Sequence, residues 1–140
     1  MSLDRFLHAQ ANGVIDRALA ELRASAKRGH WMWFVFPQVR GLGRSAAAGH
    51  YGIASIDEAR AYLAHPVLGE RLRVCVRALL NQPENDPVAI LGPVDALKLR
   101  SSLTLFEAAG GGEAFAHALD RFYGGSRDEQ TLALLANRAS

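Results

Sequence analysis

Apolar residues recur at helical spacing along most of the chain. Ile15, Leu19 and Leu22 fall on one face of a segment from Val14 to Ala26, which Gly29 then ends. Leu68, Leu72, Val76 and Leu79 do the same from Pro66 to Leu80. Leu99, Leu103 and Phe106 line up within Asp95 to Ala109, and Phe115, Leu119 and Phe122 within Glu113 to Tyr123. A first helix over Leu3 to Gln10 is interrupted at Asn12-Gly13, and a short one runs from Pro87 to Leu91. Two capping boxes mark further starts. Ser55 with Glu58 opens a helix through Ala64, and Ser126 with Glu129 opens the last, whose core side is Leu132, Leu134 and Leu135. Pro66 suits a first helical position after the break at His65. Only Trp33 to Phe36 has strand-like composition, and a run that short is ambiguous. Pro37 to Ser55 reads as a long irregular connection, a feature that in compact domains is usually functional. The expected fold is all-α or mainly α: one domain over residues 1–140, with about seven helices and a long irregular loop after the aromatic segment.

Composition fits that expectation. At 140 residues the chain is long enough for one real core, and 49% hydrophobic with 21% charged residues excludes disorder. No apolar run reaches membrane-spanning length, because Arg40 and Arg44 follow the aromatic block. Met1-Ser2-Leu3-Asp4-Arg5 lacks the basic start and apolar stretch of a secretion signal. The single cysteine, Cys75, cannot close an internal disulfide, so a reducing cytoplasm is the simplest location.

Charge is unevenly distributed. No Asp or Glu occurs from Leu22 to Ile56, whereas Arg23, Lys27, Arg28, Arg40 and Arg44 do, with His30 and His50. The net charge of +2 thus conceals a window of +5 against −3 elsewhere. A surface built from that window attracts anions. Within it, His30-Trp31-Met32-Trp33-Phe34-Val35-Phe36-Pro37-Gln38 holds both tryptophans and runs straight into Gly41-Leu42-Gly43-Arg44-Ser45. Phe34 and Phe36 suit core anchors. Trp31 and Trp33 suit a ligand wall, because an indole N–H needs a partner and its face stacks on planar groups. Gln38 offers an amide that both donates and accepts. The glycine loop can present backbone N–H groups to an anion, with Ser45 capping a short helix behind it, but it lacks the third glycine of a dinucleotide fingerprint and the lysine of a P-loop.

On the helix from Asp95, Lys98, Ser101 and Ser102 stand three and four residues apart and share a polar face. Two adjacent mid-helix serines are poor helix formers and need a reason to be there. The candidate ligand-binding set is therefore His30, Trp31, Trp33, Gln38, Arg40, Arg44, Ser45, Lys98, Ser101 and Ser102. Any general acid or base must come from outside the carboxylate-free window or be His30; Asp95 and Glu107 are the other candidates. His8, His30, His50, His65 and His117 lack metal-ligand spacing, so neither a metal nor another cofactor is expected. Cys75 lies in an apolar helix and reads as a buried, inert thiol.

Taken together, His30 through Gln38, Arg40 through Ser45, Tyr51-Gly52-Ile53, Glu58 through Leu63 with His65 through Gly69, and Lys98 through Phe106 resemble the family called domain of unknown function 1810. Asp4-Arg5-Phe6 and Ala9-Gln10 fit as well. The resemblance covers nearly the whole chain. It implies a soluble, mainly helical, single-domain protein, and it brings no activity or site residue with it. The residues themselves point to a small anionic planar ligand, such as a nucleotide or an ADP-ribose derivative. The alternatives are a non-catalytic protein-interaction module and, less favoured at so small a net charge, single-stranded nucleic-acid binding. Whether the protein is an enzyme, and its oligomeric state, stay open at this point.

Overall fold

Ten helices form among residues 2–138, the part of the chain that the computed structural model describes. They are α1 (Asp4–Ala9), α2 (Val14–Arg23), α3 (Met32–Val35), α4 (Ala46–Tyr51), α5 (Ile56–Ala64), α6 (Leu68–Asn81), α7 (Pro87–Leu91), α8 (Pro93–Ala108), α9 (Glu113–Tyr123) and α10 (Glu129–Arg138). The fold is helical, as the spacing predicts, but with ten helices rather than about seven. Helices α3 and α4 lie in the stretch that reads as strand-like and irregular. Among the described residues the only β-pairing is an isolated parallel bridge between Val39 and Ile53.

Helix α8 is the centre of the molecule. It packs against α5, α7, α9 and α10, and every residue from Ser101 to Phe106 is buried. Over Ser101 to Phe106 the helix is enclosed on all sides and has no room for a solvated polar face. Ser102 and Thr104 are small there, which suits the close approach of neighbouring helices. The Thr104 hydroxyl satisfies itself on the Arg100 carbonyl one turn back at 2.8 Å.

Helix ends follow from local chemistry. Ser55 accepts from the Glu58 N–H at 3.2 Å, completing the first capping box, while the Glu58 carboxylate takes the Ala54 N–H and pairs with Arg5 at 3.0 Å. The second box is displaced. Helix α10 starts at Glu129, and Asp128 rather than Ser126 caps it by accepting from the Thr131 N–H at 3.1 Å. Helix α6 starts at Leu68, two residues beyond Pro66, because His65 Nδ1 accepts from the Val67 and Leu68 N–H groups. Helix α8 starts at Pro93 instead of Asp95, proline being well suited to a first turn. Helix α2 stops at Arg23, short of Ala26. Ser25 adopts φ 57°, and Ala26 and Ser25 donate back to the Glu21 and Leu22 carbonyls in a left-handed cap usually reserved for glycine.

Three polar side chains tie separate elements together. Gln10, just past the end of α1 and almost fully buried, donates to the Phe34 carbonyl at 2.7 Å and the Tyr62 hydroxyl at 3.0 Å and accepts from Arg71. Arg121 of α9 donates to the Leu80 and Gln82 carbonyls and to Asn85, fixing the turn between α6 and α7. Glu21 accepts from the Arg28 and Gly29 N–H groups and from the Trp31 indole at 2.7, 2.8 and 3.0 Å, folding the loop after α2 around itself.

Candidate functional site

One turn of helix divides the aromatic block. In α3 the residues sit about 100° apart around the axis. Met32 and Val35 enter the core, and Trp33 and Phe34 are left half-buried. Pro37 forces Phe36 out of helical geometry and into the core at φ −123°. The chain then runs through Gln38 and Val39 into the bridge, where Ile53 N–H donates to the Gln38 carbonyl and Arg40 N–H to the Ile53 carbonyl, both at 2.8 Å. Ser45 caps α4 by accepting from the Ala48 N–H at 3.1 Å.

This folding opens a half-enclosed cleft of about 320 Å³. Trp33, Gln38, Leu42, Gly43, Ala48 and Tyr51 form one wall. Val94, Leu97, Lys98, Arg100 and Ser101 of α8 form the other, with Asp128 and Gln130 at the end. Val94 and Leu97 are 64% and 62% exposed and make an apolar outer lip.

Of the residues singled out in the sequence, the fold brings Trp33, Gln38, Lys98 and Ser101 together here. It does not bring the rest. His30 and Trp31 border a separate, smaller hollow of about 210 Å³ with Glu21 and Phe34, and Trp31 is 4% exposed with its N–H committed to Glu21. Ser102 is buried away from the cleft, and its hydroxyl has no partner. Arg40, Arg44 and Ser45 are exposed on the neighbouring loop, where the Arg40 guanidinium bonds the Gly49 and Gly52 carbonyls. Of the acid–base candidates, Glu107 is held by Arg127 at 2.6 Å near the far end of α8, and Asp95 lies behind the cleft wall between two lysines.

Asp95 organises the local charge. Its two oxygens pair with Lys27 at 2.8 Å and Lys98 at 3.2 Å. Lys27 lies over the Trp31 ring, 4.9 Å from its centre, and Lys98 lies over Trp33 at 4.1 Å. Each ammonium therefore has a carboxylate on one side and an indole face on the other. Burial alone raises the Asp95 carboxyl. Hydrogen bonds and charge from Lys27, then from Lys98, outweigh it and hold the group below the ordinary carboxylate range. Gln38, which lines the same cleft, is 8% exposed, and its buried amide nitrogen has no hydrogen-bond partner.

Sequence reasoning missed Asp128, the carboxylate that lines this cleft. Its Oδ2 accepts from the Thr131 N–H, the Thr131 hydroxyl and Ser101 Oγ, and its own N–H donates to Thr104. The Asp128-x-x-Thr131 spacing is a capping signal in its own right, masked in the sequence by the overlapping serine box.

A hollow of about 340 Å³ between α2 and α6 is lined by Arg23, Arg77, Asn81 and Gln82, but the Gln82 amide is fully bonded to Ser25, Leu79 and Glu84. Cys75 is buried, and burial pushes its thiol up to about 12 against the opposing pull of Arg23 and Arg71. Iodoacetamide at pH 8 is accordingly expected to leave the native protein unlabelled and to alkylate it fully in denaturant, as mass spectrometry will show. Among the described residues, no group of three His, Cys, Asp or Glu side chains could hold a metal ion, and no helix is long and apolar enough to cross a membrane.

Comparison with known proteins agrees with this architecture. The crystal structure of the conserved hypothetical protein Rv1873 from Mycobacterium tuberculosis is similar over 96% of both chains, with 50% sequence identity and a TM-score of 0.92. No curated protein matches. The family model described as Protein of unknown function (DUF1810) matches residues 1–135, and with nearly the whole chain inside that match, this protein belongs to the DUF1810 family.

Proposed function

We propose that the cleft binds one planar, anionic small molecule of about mononucleotide size. The observation that carries this reading is the Lys98 ammonium over the Trp33 face, in a cleft also lined by Gln38 with its unpartnered amide. An indole face, a cation and an amide in search of an acceptor are what a heteroaromatic ring with an acidic group requires. Arg100 adds a second cation to the lining, and the exposed Arg40 and Arg44 stand on the adjoining loop. Size narrows the ligand. About 320 Å³ is at the lower end for small-molecule sites, enough for a mononucleotide and too little to enclose an ADP-ribose derivative.

Thermal unfolding with the four ribonucleoside 5′-monophosphates and ADP-ribose tests the reading. At least one monophosphate is expected to raise Tm by several degrees when present at a hundred times its Kd, a stabilisation of about 2.7 kcal/mol. Lys98→Met, which keeps the stem over Trp33 and removes the charge, is expected to weaken that binding about tenfold. No shift with any of the monophosphates at millimolar concentration removes the proposal.

A further inference from the structure

We propose that the ligand of this cleft carries a vicinal diol, as a ribose does, and that Asp128 and Arg100 recognise it together. The inference rests on the reading that a nucleotide-sized molecule occupies the cleft, and it specifies that molecule's sugar.

Asp128 is 9% exposed, and its two oxygens are unequal. Two donors converge on Oδ2, the Thr131 N–H at 3.1 Å and the Thr131 hydroxyl, and Ser101 Oγ at 3.3 Å shares its one proton between Oδ2 and the Leu97 carbonyl. A carboxylate oxygen accepts about two hydrogen bonds, so Oδ2 is saturated. Oδ1 receives none. Its nearest cation is Arg100 Nη2 at 3.6 Å, beyond hydrogen-bonding reach. Arg100 is underused too: among the described residues its guanidinium donates no hydrogen bond, and its side chain is 31% exposed, so its Nη atoms are open to the cleft. The end of the cleft therefore presents an open acceptor on the nearly enclosed Asp128 beside an open donor on the partly exposed Arg100.

An incoming group must suit both. A phosphate is repelled by the carboxylate, and an ammonium by the guanidinium. A neutral pair of adjacent hydroxyls matches. One donates to Asp128 Oδ1, and the oxygen of its neighbour accepts from Arg100. Carboxylates meet ribose hydroxyls in the same way in nucleotide sites of other folds. The ligand is thus oriented, with its sugar toward Asp128 and its ring and acidic group toward Trp33, Lys98 and Gln38.

The test is calorimetric titration of the full chain with the four ribonucleoside 5′-monophosphates and their 2′,3′-dideoxy counterparts. Hydrogen bonds to charged groups lead us to expect the ribose form to bind at least tenfold more tightly. In Asp128→Asn, which retains a side-chain oxygen to cap α10, that preference is expected to fall below threefold. Equal binding of both series to the unaltered protein overturns the diol assignment and leaves the cleft reading standing. Binding of neither series overturns the cleft reading itself. A ribose preference that survives in Asp128→Asn overturns the role of Asp128. Should the variant fail to fold by circular dichroism, the comparison of the two series on the unaltered protein still decides the diol assignment.

Discussion

Alanine at Gly69 is expected to leave the chain unfolded or close to it. Helix α6 begins against the end of α5, and a Cβ at Gly69 would lie 2.1 Å from the Leu63 carbonyl oxygen and 2.8 Å from its carbon. Both are backbone atoms, so no side chain can rotate away. Position 69 is also pinned, because its N–H donates to the His65 carbonyl at 3.0 Å. Relief requires the two helices to separate, and Tyr62, Leu63, Leu68 and Leu72 are buried around that junction. Ordinary overpacking costs about 1–3 kcal/mol. A contact that only backbone movement can relieve should cost about 4 kcal/mol or more, a large share of the roughly 5–15 kcal/mol that holds a domain together. Gly49→Ala is the control: nothing lies within 4 Å of its Cβ, so its melting temperature should hold or rise slightly.

The second large effect is at Phe106. Its ring is fully buried on α8, 5.3 Å from the Tyr62 ring and 6.2 Å from Phe115. Phe106→Ala removes the contact shared by α5, α8 and α9 and leaves a void that close-packed neighbours cannot fill. The expected loss is about 3–5 kcal/mol, read from the urea midpoint at unchanged slope. Leu97→Ala on the same helix should stay within about 0.5 kcal/mol, since that side chain is mostly in solvent. A small effect at Phe106 would falsify the placement of α8 at the centre. Because α8 carries Lys98 and Ser101, the binding proposed for the cleft should weaken as that variant loosens.

The long helices were legible because their stability and their sequence signal have one cause, an apolar face every third or fourth residue. Ser55 and Glu58 were legible because a capping box is local. Helix α4 was legible only as a short helix behind its Ser45 cap, and α3 was not legible at all, because so short a helix has little cooperativity of its own and forms where tertiary packing holds it. The end of α2 was hidden by Ser25, a residue without glycine's freedom in a left-handed position. The candidate site divides in the same way. Periodicity placed Lys98 and Ser101 on one side of α8, yet Ser102 turned inward, because a helix surrounded on every side has no outer face at that position. Trp31 went to the interior because Glu21, outside the aromatic block, claims its N–H. Asp128 enters the cleft only when α10 docks on α8, across 27 residues of sequence from Ser101. No local pattern announces a contact of that span.

The bridge between Val39 and Ile53 has a consequence for how such a cleft diverges. It fastens both ends of the 40–52 segment next to Gln38, so the residues between them are anchored independently of their number. Doubling the length of a loop closed in this way costs only about 0.6 kcal/mol in chain entropy. Insertions and deletions there can reshape one wall of the cleft while α8 and the core stay as they are. A change in the length of this one fastened loop would thus leave Trp33 and Lys98 where they are.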